Sequence, residues 1–160
     1  MNIIESFYRS FAELDAEGMA ACYHADIQFE DPAFGQLKGE HAKNMWRMLC
    51  KSQKDKGFKL TYSQVEFNDK SGSARWEARY TFSKANRRVH NIISAKFEFK
   101  DGLIVKHQDH FDLYKWARQA LGLTGVLIGW TPFFKQKLNR QTNQLLRKFE
   151  EKLNEGGQHH

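Results

Sequence analysis

From residue 58 to residue 111 the apolar side chains fall on alternate positions in four successive stretches, separated only by short polar connections. Residues 58–67, 73–83, 88–100 and 103–111 therefore read as strands, with turns at 68–72, 84–87 and Asp101-Gly102. Connections this short point to hairpins, and three in a row make an antiparallel meander. In the second strand Trp76, Ala78, Tyr80 and Phe82 share one face, while Arg75, Glu77, Arg79 and Thr81 share the other. In the third, Asn91, Ile93, Ala95, Phe97 and Phe99 form the more apolar face. A sheet that is apolar on one side has to be covered on that side.

The segments that precede the meander supply the cover. Ile3, Ile4, Phe7, Tyr8 and Phe11 recur at helical spacing, which predicts an amphipathic helix over residues 2–13. Asp15 is placed to cap a short second helix at 16–23. Ile27 and Phe29 mark a short strand at 25–30, which ends at Asp31-Pro32 because the residue before a proline is held out of the helical region. A third helix at 40–51 presents Ala42, Met45, Trp46 and Leu49 on one stripe. The expected class is α+β: an antiparallel meander and a short N-terminal strand packed against N-terminal helices, with an extra C-terminal helix.

After the meander, Asp112 is positioned to cap a helix carrying Leu113, Trp116, Ala117, Ala120 and Leu121, which Gly122 stops. The following GLTGVLIGW, residues 122–130, is an apolar, glycine-rich connection that suits a lid, a dimer contact or a core plug. Thr131-Pro132 then opens the last helix, with Leu138, Leu145, Phe149 and Leu153 spaced for packing on a partner surface. A single domain is expected over residues 1–155, followed by a flexible tail at 156–160.

Composition narrows the classes. Cys22 and Cys50 lie among apolar residues and read as buried free thiols in a reducing compartment. With no signal peptide and no membrane-length apolar run, a cytoplasmic protein is the expectation. The net charge is +6, and residues 131–153 hold six Lys and Arg against two Glu. That pattern reads as a solvated helix face, so neither nucleic-acid binding nor membrane contact is expected.

The last meander strand carries two His and two Asp between His107 and Asp112. Alternation puts Val105, His107, Asp109 and Phe111 on one face and Lys106, Gln108 and His110 on the other. Asp109 is thus an acid among apolar neighbours and a candidate site residue. His107 stands beside it, to orient it or to act as a second base. Alternation separates the two histidines and Asp112 serves as a cap, so no metal site and no cofactor are expected. Two structural roles compete with catalysis: Asp31 caps its turn, and Asp109 accepts hydrogen bonds from His107 or Trp76.

The order of elements, YHADIQFEDPAFG at residues 23–35 and HQDHFD at 107–112 resemble the nuclear transport factor 2-like superfamily. Its members include ketosteroid isomerases, SnoaL-like polyketide cyclases and limonene-epoxide hydrolases. The resemblance implies a curved sheet forming a cone around a small hydrophobic ligand, with Trp76, Tyr80, Asn91, Phe97, Phe7 and Phe29 against that ligand, and a homodimer. Against the isomerase, Asp31 falls on the proton-shuttling base, while Phe7, next to Tyr8, and Ala95 stand where that enzyme has its oxyanion donors. Against the hydrolase, Asp109-His110-Phe111-Asp112 matches the strand bearing its water-activating carboxylate, while Trp76 and Ala78 replace its Arg and Asp. The resemblance therefore implies catalysis by Asp109, Asp31 and His107, as an acid–base isomerase, cyclase or hydrolase. The alternative is a non-catalytic binding or assembly module whose basic last helix docks a partner or an anionic surface.

Overall fold

The computed structural model describes residues 1–82 and 84–157. Helix α1 (Ile3–Ala12) begins at a capping box, in which the Asn2 side chain accepts from the Glu5 N–H and Glu5 reaches back to the Asn2 backbone. Helix α2 (Ala16–Ala21) starts at Asp15, whose carboxylate accepts from the Gly18 N–H. Next come β1 (Tyr23–Asp31), β2 (Gly35–Lys38) and α3 (Glu40–Gln53), and then the meander of β3 (Lys59–Phe67), β4 (Ser71–Phe82), β5 (Arg87–Lys100) and β6 (Leu103–His110). The chain closes with α4 (Leu113–Leu121), α5 (Leu123–Ile128) and α6 (Pro132–Gly157).

The sheet has six strands in the order β2-β1-β6-β5-β4-β3. The meander is antiparallel throughout, as its short turns require. Two features go beyond the expected sheet. A sixth strand, β2, forms a hairpin with β1, and β1 lies parallel to β6, with Phe29 opposite His107. Helices α1, α2 and α3 cover the apolar face, where Ile4, Phe7, Tyr8, Phe11, Ala42, Met45, Trp46, Trp76, Ile93, Ala95 and Phe97 are buried together.

One expected facing changes at the start of β6. The pairing of β5 with β6 skips Val105 between Glu98↔Lys106 and Phe99↔Ile104, and this bulge turns Ile104 fully inward while Val105 is only partly buried. Alternation then holds from His107 onward. The segment 122–130 is largely helical: α5 folds back on α4 because Gly125 lies where any side chain would collide with the Ala117 carbonyl.

The apolar stripe expected on α6 is also different. Of the expected residues Leu138 packs on the core and Phe149 is partly buried, but Leu145 and Leu153 are exposed, and Phe134 and Leu146 are the fully buried positions. The reason is polar. Between those two anchors, Asn139 donates to the Pro32 and Ala33 carbonyls, Thr142 to Ala33, and Asn143 to Phe34. These three side chains turn one face of α6 onto the loop after β1, which leaves Leu145 and Leu153 on the outside. The helix continues through Gly157, and residues 158–160 lie outside the described residues. Cys22 and Cys50 are buried and unpaired, and burial pushes their thiols up to about 11 and about 12.

Candidate functional site

Five side chains from four elements meet on the inner face of the sheet, centred on His107, which is fully buried. Trp46 Nε1 donates to Tyr23 Oη at 2.9 Å, Tyr23 Oη is 2.7 Å from His107 Nδ1, and His107 Nε2 is 2.9 Å from Asp109 Oδ1. From the other side Trp76 Nε1 donates to the same Asp109 oxygen at 3.3 Å. An indole N–H only donates, so the Tyr23 oxygen accepts from Trp46, and its own hydroxyl proton is then available to His107 Nδ1. In that arrangement His107 Nε2 carries the proton that Asp109 Oδ1 accepts. Asp109 Oδ1 thus meets two ring N–H groups. Its Oδ2 accepts no hydrogen bond among the described residues.

Aromatic rings enclose the column. Phe7, Phe29 and Phe97 pack on the His107 imidazole at centroid distances of 5.4, 5.1 and 4.5 Å, and Trp46 stacks over it at 6.2 Å. These rings form a floor of buried side chains beneath Asp109. Asp109 itself keeps 7 % of its surface open.

Tyr8 adds an element that alternation and motif spacing did not single out. Its ring packs edge-on to Phe7 and Phe97 and tilts against Trp76, and its hydroxyl is buried with no hydrogen-bond partner among the described residues. Burial, followed by the nearby Asp109 charge, holds the phenol well above its ordinary pKa, so it remains a donor. The signal in the sequence was its place next to Phe7: a helix turns by about 100° per residue, so two adjacent residues can both face a broad core.

Asp31 sits on the opposite rim. Its Oδ1 accepts from the Ala33 and Phe34 N–H groups at 2.9 and 2.6 Å, the turn-capping role read from the sequence. The Asn139, Thr142 and Asn143 bonds from α6 hold the same turn from outside. Burial pushes the Asp31 carboxyl up to about 7, opposed by the two turn N–H bonds and reinforced by the charge of Asp109. Tyr80 completes the rim. It accepts from Trp116 Nε1 of α4 at 2.7 Å, and burial, with Asp31 adding, raises its hydroxyl to about 12.

The structure thus brings Asp109, His107 and Trp76 into direct contact and sets Asp31 within electrostatic reach of Asp109. Asn91, partly buried on β5 opposite Ala78, lies on the same inner face. Arg75, Glu77 and Arg79 point to the outer face, as alternation required, and His90 faces Glu77 there at 3.3 Å. A groove lined by Ser73, Lys96, Glu98, Lys106 and Gln108 also lies on that outer face, and it contains neither carboxylate of the site. Among the described residues no cluster of His, Cys, Asp and Glu could hold a metal ion, and no helix is long and apolar enough to cross a membrane.

Residues 4–107 match the SnoaL-like domain family. Among solved structures, the chain is similar to a protein with a ketosteroid isomerase-like fold from Catenulispora acidiphila in complex with trimethylamine. The TM-score is 0.65 at 15 % identity, over 81 % of this chain and 97 % of that one. An LEH-like epoxide hydrolase of M. tuberculosis aligns with a TM-score of 0.61 at 20 % identity, over 78 % and 92 %. A nuclear transport factor 2-like protein from Burkholderia pseudomallei aligns with 0.62 at 17 %, over 74 % and 95 %. At such identities the likeness is one of fold. No curated protein sequence matches the chain.

Proposed function

The chain belongs to the SnoaL-like domain family, and from that premise we propose that it binds a small hydrophobic molecule and performs acid–base chemistry on it. The observation that carries this reading is Asp109: a buried carboxylate braced on Oδ1 by the His107 and Trp76 ring N–H groups, with Oδ2 left without a partner among the described residues. A rigid carboxylate with one unengaged oxygen is arranged to take a proton. His107 is a positioning residue, locked by Tyr23 so that its only proton points at Asp109. Asp31, with its carboxyl raised to about 7, supplies the acid, and the orphan Tyr8 hydroxyl is the donor for an oxygen that gains charge.

In this scheme Asp109 Oδ2 removes a proton from carbon or from water, and Asp31 returns one to the departing or rearranged atom. Isomerisation, cyclisation and hydrolysis are the reactions that such a pair serves. Trp76, Tyr80 and Asn91 contact the ligand, and Phe7, Phe29 and Phe97 form the floor that shapes the cavity. The mixed Arg75, Glu77 and His90 surface on the outer sheet face, with the half-buried Ile92, is the proposed homodimer contact; Val65, expected beside it, packs against the core instead.

The test has two steps. Native mass spectrometry of the purified protein identifies any retained hydrophobic ligand, and deuterium incorporation into hydrophobic cyclic ketones in D2O reports proton abstraction. Asp109→Asn is expected to keep ligand binding and abolish exchange. Ligand retention without exchange in either protein would instead support the binding-module reading.

A further inference from the structure

Between Asp112 and Glu150 the chain contains no acidic residue. Residues 113–149 carry seven Lys and Arg, whereas the rest of the chain has 18 Lys and Arg against 19 Asp and Glu. The entire positive balance of the protein therefore belongs to α4, α5 and most of α6. The same segment holds a concentration of exposed large apolar side chains. Leu123, Val126, Leu127 and Ile128 on α5, then Trp130 in the turn before α6 and Phe133 in its first turn, all face solvent, with Leu123 at 74 % and Trp130 at 68 % exposure. Single exposed apolar residues are ordinary on a protein surface; six within eleven positions are not.

The cations border this patch. Lys135, Lys137 and Arg140 follow Phe133 within two helical turns and are exposed, and Lys135 and Arg140 line a shallow groove there with Gln136 and Asn139. On the other side Arg118 lies over the Tyr114 ring at 4.8 Å, and the Tyr114 hydroxyl donates to the Val126 carbonyl. None of Lys115, Arg118, Lys135, Lys137 or Arg140 is in an ion pair among the described residues. An apolar hook tipped by a tryptophan and bordered by unpaired cations has the composition of a helix that lies in a membrane interface.

We propose that α5 and the first turns of α6 dock the protein peripherally on an anionic lipid surface, with the apolar side chains in the headgroup boundary and the cations on lipid phosphates. Charge selects this occupant over a second copy of the chain. A two-fold contact through the patch would bring two cationic borders together, whereas anionic lipid complements them. Sequence alone favoured a solvated helix face; the exposure of α5 is what changes that reading. If the proposed ligand enters past Tyr80 and Trp116, docking would also carry that entrance towards the lipid, because α4 continues directly into α5. That consequence rests on the proposed ligand-binding role, and docking itself does not.

The experiment is co-sedimentation of the full chain with vesicles of phosphatidylcholine alone or of phosphatidylcholine with about one-third phosphatidylglycerol, paired with tryptophan emission. Trp46, Trp76 and Trp116 are at most 8 % exposed, so an emission shift on binding reports Trp130. Binding is expected on the anionic vesicles, with a blue shift, and at least about tenfold weaker on phosphatidylcholine or in high salt. Leu127→Ser with Trp130→Ser should reduce binding about tenfold or more, as should Lys135→Gln with Lys137→Gln and Arg140→Gln. All five side chains are exposed, and unchanged circular dichroism confirms that the variants fold. No sedimentation with anionic vesicles, binding indifferent to both variants, or patch substitutions that turn a lipid-free dimer into a monomer would each overturn the proposal. Neither the vesicles nor the patch variants depend on turnover, so failure here leaves the acid–base reading standing, and the reverse also holds.

Discussion

Asp109 and Asp31 are both acids on the interior side of one sheet, and they are held in opposite ways. Asp109 rests on side chains from β4 and β6 that are themselves locked, with indole and imidazole N–H groups fixed by the pairing of central strands. Asp31 rests on two backbone N–H groups of a turn at the edge of the sheet, and that turn depends on α6 for its outer bonds. The first carboxylate is braced as an acceptor. The second is desolvated faster than its hydrogen bonds can compensate, and so it tends to keep its proton. This difference in surroundings is what the proposed function uses, with Asp109 as its base and Asp31 as its acid.

Removing the braced acid should have the largest effect. Asp109→Ala leaves the His107 and Trp76 N–H groups buried without an acceptor, and chemical denaturation is expected to show a loss of about 3 kcal/mol. Asp109→Asn keeps an acceptor oxygen, so it should cost about 1 kcal/mol while lowering proton abstraction about a thousandfold. Equal stability losses in the two variants would mean that the donors on Oδ1 are not the reason for the bracing.

The rim acid should behave in the reverse sense. The Asp31 pKa in the folded state lies above its unfolded value, so the folded protein binds the extra proton. Stability from this group is full below about pH 4 and is lost as pH rises through about 7. Asp31→Asn retains an oxygen for the Ala33 and Phe34 N–H groups and removes the buried charge. The variant is expected to gain about 2 kcal/mol over the native protein at pH 8 and nothing at pH 4, as thermal melts at the two pH values would show. A variant destabilised equally at both would assign Asp31 a purely structural turn role.

Two smaller substitutions sharpen the contrast. Tyr23→Phe deprives His107 Nδ1 of its donor and Trp46 of its acceptor, and denaturation should register a loss of about 2 kcal/mol. Tyr8→Phe removes a hydroxyl that has no partner among the described residues, so stability should be unchanged or higher by about 0.5 kcal/mol. A marked loss for Tyr8→Phe would point to a structural partner for that hydroxyl in solution.

Much of this arrangement was legible in the sequence because it obeys a period. Alternation located the meander, set Asp109 and His107 inward, and sent Arg75, Glu77 and Arg79 outward. Local chemistry located the Asp15 and Asp112 caps and the Asp31 turn. Long-range pairings were not legible. Tyr23 read as the end of a helix and Trp46 as one more core residue, since nothing local shows that they are linked in series to His107. The four residues of β2, with only Leu37 buried, are too short to show a period. In α5 the glycines that disfavour a helix in isolation are the ones that let it press against α4. The bulge at Val105 shifted one position of alternation, and the face of α6 was chosen by Asn139, Thr142 and Asn143 rather than by leucines.

The division of labour between the two acids is tested most directly by following the Asp31 carboxyl carbon by NMR through a pH titration, in the native protein and in Asp109→Asn. The midpoint is expected at about 7 in the native protein and lower in the variant, because the charge of Asp109 is one of the forces that raises it. A midpoint near the ordinary carboxylate value of about 4, or one that does not move when Asp109 is neutralised, would contradict the account.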